Sequence, residues 1–500
     1  MQSQALNNPL IHWLQPVGVR LKRAVDRNPS LRLAVLGLLN GAASLLLLSP
    51  AITLVSASMA AVWLYGHIQG PLDWFAAEVL CALALVAGWV TLQQYLTQPK
   101  CPEGVALNEC DSPQIFGMLE RRVTHFHIPA QDDVVLTDEA KLDIHLVPKH
   151  AFPFGHKHIL AIGSPLLFFL SQDLFRLALA GAAAAHAQRQ RGLRGWIIRC
   201  CGDWPQLIDA LQSRPSIATR LFVPLLQNLD ALNETLGHEL RMELQQDSSR
   251  WISEQTDEQQ AEQLLASQVL ADLYLRHQYW PMIMKAADRC PTPVVKPFSH
   301  FELLLEKTLN QETANRWLLQ AQTCSSDNGE LRDLLAGLGL ERLVWSGLPE
   351  QSASTKLLGS DSLKALDNDW QTRIQPEWDE HHSRFQHDLK RLNQLKQQHA
   401  ERALHGESAL RYIRLAEQLL DADEIGKACQ SICDSNRSDA VLNFACGRQL
   451  IASGHAEAGC EALQRAAELD RAFARRAHAI INEQNRAWLR EDVVNRKARA

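Results

Sequence analysis

Two long apolar stretches near the N-terminus dominate the pattern of hydrophobic and polar positions. Residues 33–65 contain no charged side chain, and residues 74–95 contain only Glu78. A helix needs about 20 apolar residues to cross a bilayer, so each stretch is long enough to span one. The pattern therefore predicts a transmembrane hairpin within residues 31–98. Two helices buried in a soluble core are the alternative interpretation.

The charges that flank these stretches predict how the hairpin is oriented. Residues 1–30 are polar and basic, whereas the connector 67–73 has no lysine or arginine. Because basic flanks remain in the cytoplasm, we expect a multi-pass protein of a bacterial-type inner membrane whose soluble domains are cytoplasmic. Pro50 leaves an alternative open, since it could divide the first stretch into two short spans and place the large domain outside. No cleavable signal peptide is expected, because the apolar region starts too late.

Shorter periodic patterns follow from residue 99 onward. Apolar side chains at helical spacing predict an amphipathic helix at Pro113–Phe126. Short strands are predicted at residues 133–137, 144–147 and 159–162. Ser171 then has the character of a helix N-cap, and the helix that it opens runs into the small residues Gly181–Ala185. We assign this region, residues 99–350, to one domain.

The C-terminal part of the chain is helical by pattern throughout. A polar helical connector is predicted at residues 351–404, and a charged tail at residues 486–500. Between them, residues 405–485 contain a repeat, in which Ala416, Leu419, Ala428 and Ile432 recur 31 residues later as Gly447, Leu450, Gly459 and Leu463. The small and large positions are similar to those of tetratricopeptide (TPR) hairpins, which implies a protein-binding surface. An unrelated helical bundle is the alternative.

Residues 159–190 resemble a signature of the M48 family (Ste24/HtpX-like) of zinc metallopeptidases. The chain reads Ile162-Gly163-Ser164-Pro165-Leu166-Leu167 and continues through Leu170-Ser171 into the motif helix, as in that family. The resemblance covers roughly residues 110–390 and implies a domain in which a small sheet accompanies packed helices. In the family a strand carrying Asn-Ala-Phe borders the substrate cleft, and this chain has Leu142-Asp143-Ile144-His145 there. We therefore expect altered peptide binding at that strand.

The zinc chemistry of the family is missing from this signature. In His-Glu-x-x-His, the two histidines lie on one helix face and bind zinc, and the glutamate acts as a general base on the metal-bound water. This chain has Gly181-Ala182-Ala183-Ala184-Ala185 instead. Glycine and alanine neither bind a metal nor transfer a proton. The run is typical of a helix face that packs closely on a neighbour.

The second M48 signature, Glu-x-x-Ala-Asp, is partly retained. Glu243 stands at the position of the third zinc ligand and Asp247 at that of the aspartate, while Gln246 replaces the alanine. A rebuilt, weak zinc site would have to combine Glu243 with His186 and His238, the two nearest candidates. His186 lies one residue past the second motif histidine, about 100° further around the helix. The sequence therefore predicts neither catalytic residues nor a bound cofactor, with zinc as the alternative.

Composition and cysteine usage are those of an ordinary globular protein in a reducing compartment. Charged residues make up 21% of the 500 residues and the net charge is −6, which gives no signature of nucleic-acid binding. The eleven cysteines are scattered and odd in number, unlike a secreted disulfide framework. Cys429 and Cys433 lie one helical turn apart and are more typical of two small buried side chains than of a redox pair.

Together these patterns predict a mainly α fold with a small β-sheet, an N-terminal transmembrane hairpin and C-terminal TPR-like α-hairpins. The favoured function is that of a membrane-anchored pseudopeptidase that binds protein partners through its M48-like surface and its TPR-like region. Its hairpin contacts the lipid bilayer, and no nucleic acid is expected as a partner. The alternative is an active membrane zinc metalloendopeptidase in protein quality control with a rebuilt metal site.

Overall fold

The computed structural model describes residues 28–67, 70–150, 155–213, 217–323, 331, 335, 340 and 342–499. Most of the basic segment predicted at residues 1–30 lies outside these ranges. Within them the chain is predominantly helical, with a single small sheet of four strands. This confirms the prediction of a mainly α fold that contains a small β-sheet.

Two of the helices are long and apolar enough to cross a membrane by length and composition, among the residues that the structure describes. They are α1 (Pro29–Tyr65) and α2 (Pro71–Leu96), and they pack against each other. Pro50 lies inside α1 and does not interrupt it, so this stretch forms one helix and not two short ones. Large apolar side chains such as Leu38, Val62 and Leu85 are exposed on the pair.

The sheet has the strand order β1-β2-β4-β3. Its strands are β1 (Val105–Ala106), β2 (Asp133–Thr137), β3 (Leu142–Pro148) and β4 (His156–Gly163). The central pair β2 and β4 is parallel, while β1 and β3 pair antiparallel to their neighbours. β4 is rich in apolar side chains that are buried, because the sheet lies under helices. β3 is an edge strand.

The helices around the sheet are α3 (Pro113–Phe126), α4 (Ser164–Phe169), α5 (Gln172–Arg189), α6 (Gly192–Gln212), α7 (Ile217–Gln255), α8 (Glu258–Tyr274), α9 (Trp280–Met284), α10 (Phe301–Thr308), α11 (Gln311–Thr323) and α12 (Ala353–Leu357). A π-helical turn at Leu275–Tyr279 follows α8, and a 3₁₀ turn at Lys285–Asp288 follows α9. Ser171 caps α5 as predicted, since its Oγ accepts a hydrogen bond from the Leu174 N–H.

The first part of α1 is built into the core formed by α6 and α7. Leu36, Ala43 and Leu47 of α1 are buried against apolar side chains of both helices. Asn40 lies at the centre of this contact, where its Oδ1 accepts hydrogen bonds from Trp204 Nε1 at 2.6 Å and Asn233 Nδ2 at 2.9 Å. α1 is about 55 Å long at 1.5 Å per residue, which exceeds the roughly 30 Å of a hydrocarbon core.

The chain divides into two compact units, one containing residues up to Ile283 with Val295–Arg373, and the other containing Met284–Val294 with Ile374 onward. The second unit contains most of α13 (Ser360–Glu401), followed by α14 (Gly406–Leu419), α15 (Ala422–Ser435), α16 (Ala440–Ala452), α17 (Ala456–Leu469) and α18 (Arg471–Arg499). The predicted repeats thus coincide with two helical hairpins. Gly447 and Gly459 let α16 and α17 approach closely, because a Cβ on either would lie within 3 Å of the other's carbonyl oxygen.

Candidate functional site

Helices α5 and α7 carry the two sequence signatures and pack against each other. Gly181, at the first motif position, is buried beneath Ile252 of α7. A Cβ atom at Gly181 would lie 2.6 Å from the Ile252 Cδ1 atom. A larger side chain therefore has no room unless Ile252 moves. This supports the prediction that the small residues form a close-packed helix face.

Glu243, at the position of the family's third zinc ligand, is held by two arginines. Its Oε2 atom lies 3.0 Å from Arg194 Nη2, and its Oε1 atom lies 3.5 Å from Arg32 Nη1 of α1. Arg194 also lies 3.6 Å from the Asp247 carboxylate, and Arg32 pairs with Glu239. Both acidic residues that resemble the second signature, Glu243 and Asp247, are thus engaged with cations of this chain.

Ala185, at the second histidine position, lines an open cavity of about 420 Å³. The walls come from β3, α5, α6 and α7, and they include the side chains of Leu146, Arg199 and Arg241. A second cavity of about 320 Å³ lies along β3 toward Lys100. Asp143, His145 and Gln206 line both cavities, so the two are neighbours beside the edge strand, and we call them together the β3 groove.

The free edge of β3 is partly capped by side chains of the same chain. Hydrogen-bonded and non-hydrogen-bonded residue pairs alternate along an antiparallel ladder. The backbone hydrogen bonds between β3 and β4 on either side of Ile144 place this residue at a non-hydrogen-bonded position, so its N–H and C=O point away from β4. Its N–H donates to Asp143 Oδ1 at 2.8 Å, and its carbonyl accepts from Arg189 Nη1 at 3.5 Å. Arg189 also pairs with Asp143 at 3.2 Å. The groups that would pair with an added strand are thus occupied at this position.

The histidines of this region pair with each other and with aspartate. His186 is fully buried, and its Nε2 atom lies 3.1 Å from His158 Nδ1 and 2.8 Å from Gln190 Nε2. Burial first, and then the charge of His158, lowers the pKa of His186 to about 4, so this imidazole is neutral near pH 7. His156 Nε2 lies 2.9 Å from the carboxylate of the buried Asp203.

These residues do not fit a zinc site of the M48 kind. Gly181 and Ala185 provide no ligand atom, Glu243 is in ion pairs with Arg194 and Arg32, and the Nε2 atom of His186 is hydrogen-bonded. His238 is exposed on α7. No group of three histidine, cysteine, aspartate or glutamate side chains in the described ranges is arranged to hold a metal ion. We therefore derive no catalytic step through zinc at this site.

Sequence reasoning missed the arginines that shape the site. Arg32, Arg189 and Arg194 come from three different helices and meet the acidic residues only in the folded chain. The basic residues at the end of the motif helix and the start of the next helix, Arg189 and Arg194, are a weak local signal. Nothing in the sequence pairs Arg32, which is more than 200 positions away, with Glu239 or Glu243.

Comparison with known proteins yields no relative. No protein-family model matches the chain, and neither a curated protein nor a solved structure matches it.

Proposed function

We propose that the protein is a membrane-anchored, M48-like pseudopeptidase that binds protein partners in the β3 groove. The observation that carries this proposal is the combination of an open groove and a lost catalytic centre. Ala185 lines the cavity where the family has a zinc ligand, and Glu243 is in ion pairs with two arginines. A cleft whose motif helix lacks the two histidines and the glutamate of His-Glu-x-x-His is suited to binding and not to zinc-dependent hydrolysis.

The geometry also suggests how a partner binds there. Because Asp143 and Arg189 occupy the outward backbone groups of Ile144, strand addition at that position is disfavoured. The partner would instead contact side chains of the groove, which offers apolar surface at Leu146 and Ile198 beside charged groups such as Arg199. A scaffold or regulator of an active peptidase would use this surface without cleaving its partner.

The remaining parts of the proposal concern anchoring and the C-terminal unit. In this proposal, α1 and α2 anchor the chain as a multi-pass protein of an inner membrane, and its soluble domains lie in the cytoplasm. The helical hairpins α14–α17 act as TPR-like repeats that add a second protein-binding surface. Support comes from the exposed apolar side chains of α1 and α2 and from the close hairpin packing at Gly447 and Gly459.

Photo-crosslinking from inside the groove tests the binding proposal. A photoreactive amino acid at Gln206, which lines both cavities, should trap discrete protein adducts in cells. The same amino acid at the exposed Leu303, which lines neither cavity, should not. Adding Leu146→Arg should reduce the Gln206 adducts about tenfold, because it places a long charged side chain in the groove; a tenfold loss corresponds to about 1.4 kcal/mol of binding.

Two outcomes would contradict the proposal. Adducts that form equally from position 303 would show that contact is unspecific. Adducts from position 206 that persist unchanged with Leu146→Arg, in a variant that retains its helical circular dichroism, would show that the partner does not occupy the groove.

A further inference from the structure

One face of α1 has a large apolar side chain at every seventh position, and this face is exposed over most of the helix. The side chains are between 43% and 75% exposed, and they are Leu31, Leu38, Leu45, Ile52 and Met59. At 100° per residue, they lie opposite the face of α1 that packs on α6 and α7 through Leu36, Ala43 and Leu47. The exposed face is therefore turned away from the rest of the described chain.

Small residues alternate with the large ones on this face. Ala42, Ser49 and Ser56 each lie four positions after one large side chain and three positions before the next. Alternating steps of four and three residues are the spacing of a heptad seam, along which helices pair side by side. The hydroxyls of Ser49 and Ser56 donate to carbonyl oxygens of α1 itself, at 2.7 Å and 3.2 Å, so they add no unpaired polar group. We call these three residues and the five large ones the α1 seam.

The α1 seam continues beyond the part of α1 that lipid can cover. A Cβ atom at Gly88 of α2 would lie 3.4 Å from Leu54 Cδ1, so these two residues are level in the antiparallel pair of α1 and α2. Tyr95, at the end of the apolar stretch of α2, is then level with Leu47, because each lies seven residues further on. Leu38 lies nine residues, or about 13 Å, beyond that level, and it is still 75% exposed. Lipid accounts for exposed apolar side chains within a hydrocarbon core but not for those outside it.

The distribution of charge on α1 suits pairing with an identical helix. Residues 33–65 contain no charged side chain, and Arg32 is buried on the opposite face, where it pairs with Glu239. Two copies of one membrane protein are inserted in the same direction, so their α1 helices are parallel and identical residues meet across a two-fold axis. Identical charges at such positions would repel each other. The α1 seam has none.

The exposed surface of α2 lacks this alternation. With the same steps of four and three residues, Leu85, Trp89, Leu92 and Leu96 are all large and all exposed. Such a face is compatible with lipid but has no small positions at which a second helix could approach closely. In a bilayer, helix pairing depends on close packing at small residues, since lipid tails are as apolar as leucine. Of the two apolar helices, α1 therefore has the surface suited to pairing.

We propose that two copies of this chain form a parallel dimer through the α1 seam. Layers of large side chains alternate with layers of small ones along the pair, and outside the bilayer the burial of Leu31 and Leu38 adds hydrophobic stabilisation. The α1 seam exposes on the order of 500 Å² per copy, so the dimer would bury about 1,000 Å², which is enough for a specific interface. The inference rests on the proposed anchoring of α1 and α2 in a membrane.

Disulfide crosslinking in native membranes tests the dimer. A parent chain with Cys101→Ser and Cys110→Ser, which lacks these two exposed thiols, gives the background. Leu45→Cys in this parent should give about tenfold more disulfide-linked dimer, because pairing raises the effective concentration of the two facing thiols. Leu38→Cys should do the same outside the bilayer. Leu85→Cys, on the exposed face of α2, is the matched control and should stay at background, since α2 packs on the side of α1 opposite the seam.

Three outcomes would overturn the dimer. Background levels from position 45 would show that lipid covers the seam. Equal crosslinking from positions 45 and 85 would show random collision, and a crosslink to a different protein would show another occupant. Alkaline carbonate extraction of the same membranes distinguishes these failures from a failure of the proposed anchoring. Release of the parent chain would refute the anchoring, whereas a chain that is retained but not crosslinked would refute the dimer alone.

Filling a small position of the seam tests the packing itself. Ser49→Leu should raise the dimer Kd about tenfold, because it separates the two backbones where they approach most closely. The Kd is measured by diluting fluorescently labelled chains in lipid vesicles. Ala76→Leu, at an exposed position of α2, is the control and should leave the Kd unchanged. Both substitutions make their helix more apolar, so neither weakens membrane insertion. An unchanged Kd in Ser49→Leu, or an equal rise in Ala76→Leu, would contradict pairing through the α1 seam.

Discussion

At the scale of single residues, His186 shows how the fold treats the one histidine beside the small-residue run Gly181–Ala185. It is the nearest potential ligand to the degenerate motif, and the fold buries it completely beside His158. Burial lowers its pKa to about 4, compared with about 6.5 in an unfolded chain. The neutral imidazole of His186 is compatible with burial at neutral pH, but its protonation in acid destabilises the folded state.

The pH dependence of stability follows from this shift. Above pH 6.5 His186 is neutral in both states and contributes nothing. Below pH 6.5 His186 binds a proton in the unfolded chain, whereas in the folded chain it does so only near pH 4. The free energy of unfolding therefore decreases as the pH decreases. Between pH 6.5 and 5 this amounts to about 2 kcal/mol. Urea titrations should show this excess loss in the wild type relative to His186→Gln, and equal losses in both proteins would refute the assignment.

Several single residues could be interpreted from sequence because their signal is local. Ser171 was predicted as a helix cap, and its side chain does cap α5. The small size of Gly181 predicts close packing, and Ile252 provides it. The partners of Glu243 could not be predicted, since Arg32 and Arg194 reach it only through tertiary packing. Ion pairs between distant helices leave no periodic pattern in a sequence.

At the scale of elements, α1 is both an apolar helix and part of the folded core. Its Asn40 exchanges hydrogen bonds with Asn233 and receives one from Trp204, all three of them buried. Such a polar group in an otherwise apolar contact fixes which face of α1 meets α6 and α7, because other rotations would leave these groups unpaired.

Removing this amide should release the helix contact. Asn40→Leu leaves the Asn233 amide and the Trp204 N–H buried without a partner, so we expect it to destabilise the protein by about 2–3 kcal/mol. Thermal unfolding in detergent should show a clear decrease in Tm. Val62→Ala, at an exposed position of the same helix outside the α1 seam, serves as the control and should change stability by less than about 0.5 kcal/mol. Equal effects of the two substitutions would contradict the proposed contact.

Element boundaries were among the features best predicted from sequence. The helix predicted at Pro113–Phe126 and the strand at 133–137 have those bounds in the structure, and the other two strands are longer by a few residues. Periodicity and turn residues determine such elements locally. The docking of α1 against α6 and α7 was not foreseen, because a charge-free helix carries the same signal whether it meets lipid or protein.

At the scale of the whole molecule, the chain combines two units whose chemistry differs. In the first, Glu243 pairs with Arg194, Gly181 packs closely on Ile252, and the β3 groove is open. In the second, the helical hairpins bury three cysteines, Cys429, Cys433 and Cys446, in one apolar core.

The zinc content of the purified protein is the most direct test of the central claim that the catalytic centre is lost. Elemental mass spectrometry on detergent-purified protein would compare the wild type with Glu243→Ala. We expect substoichiometric zinc that is the same in both, since Glu243 is bound to arginines and lacks histidine partners. About one zinc per chain in the wild type, lost in Glu243→Ala, would contradict the account and establish a rebuilt metal site.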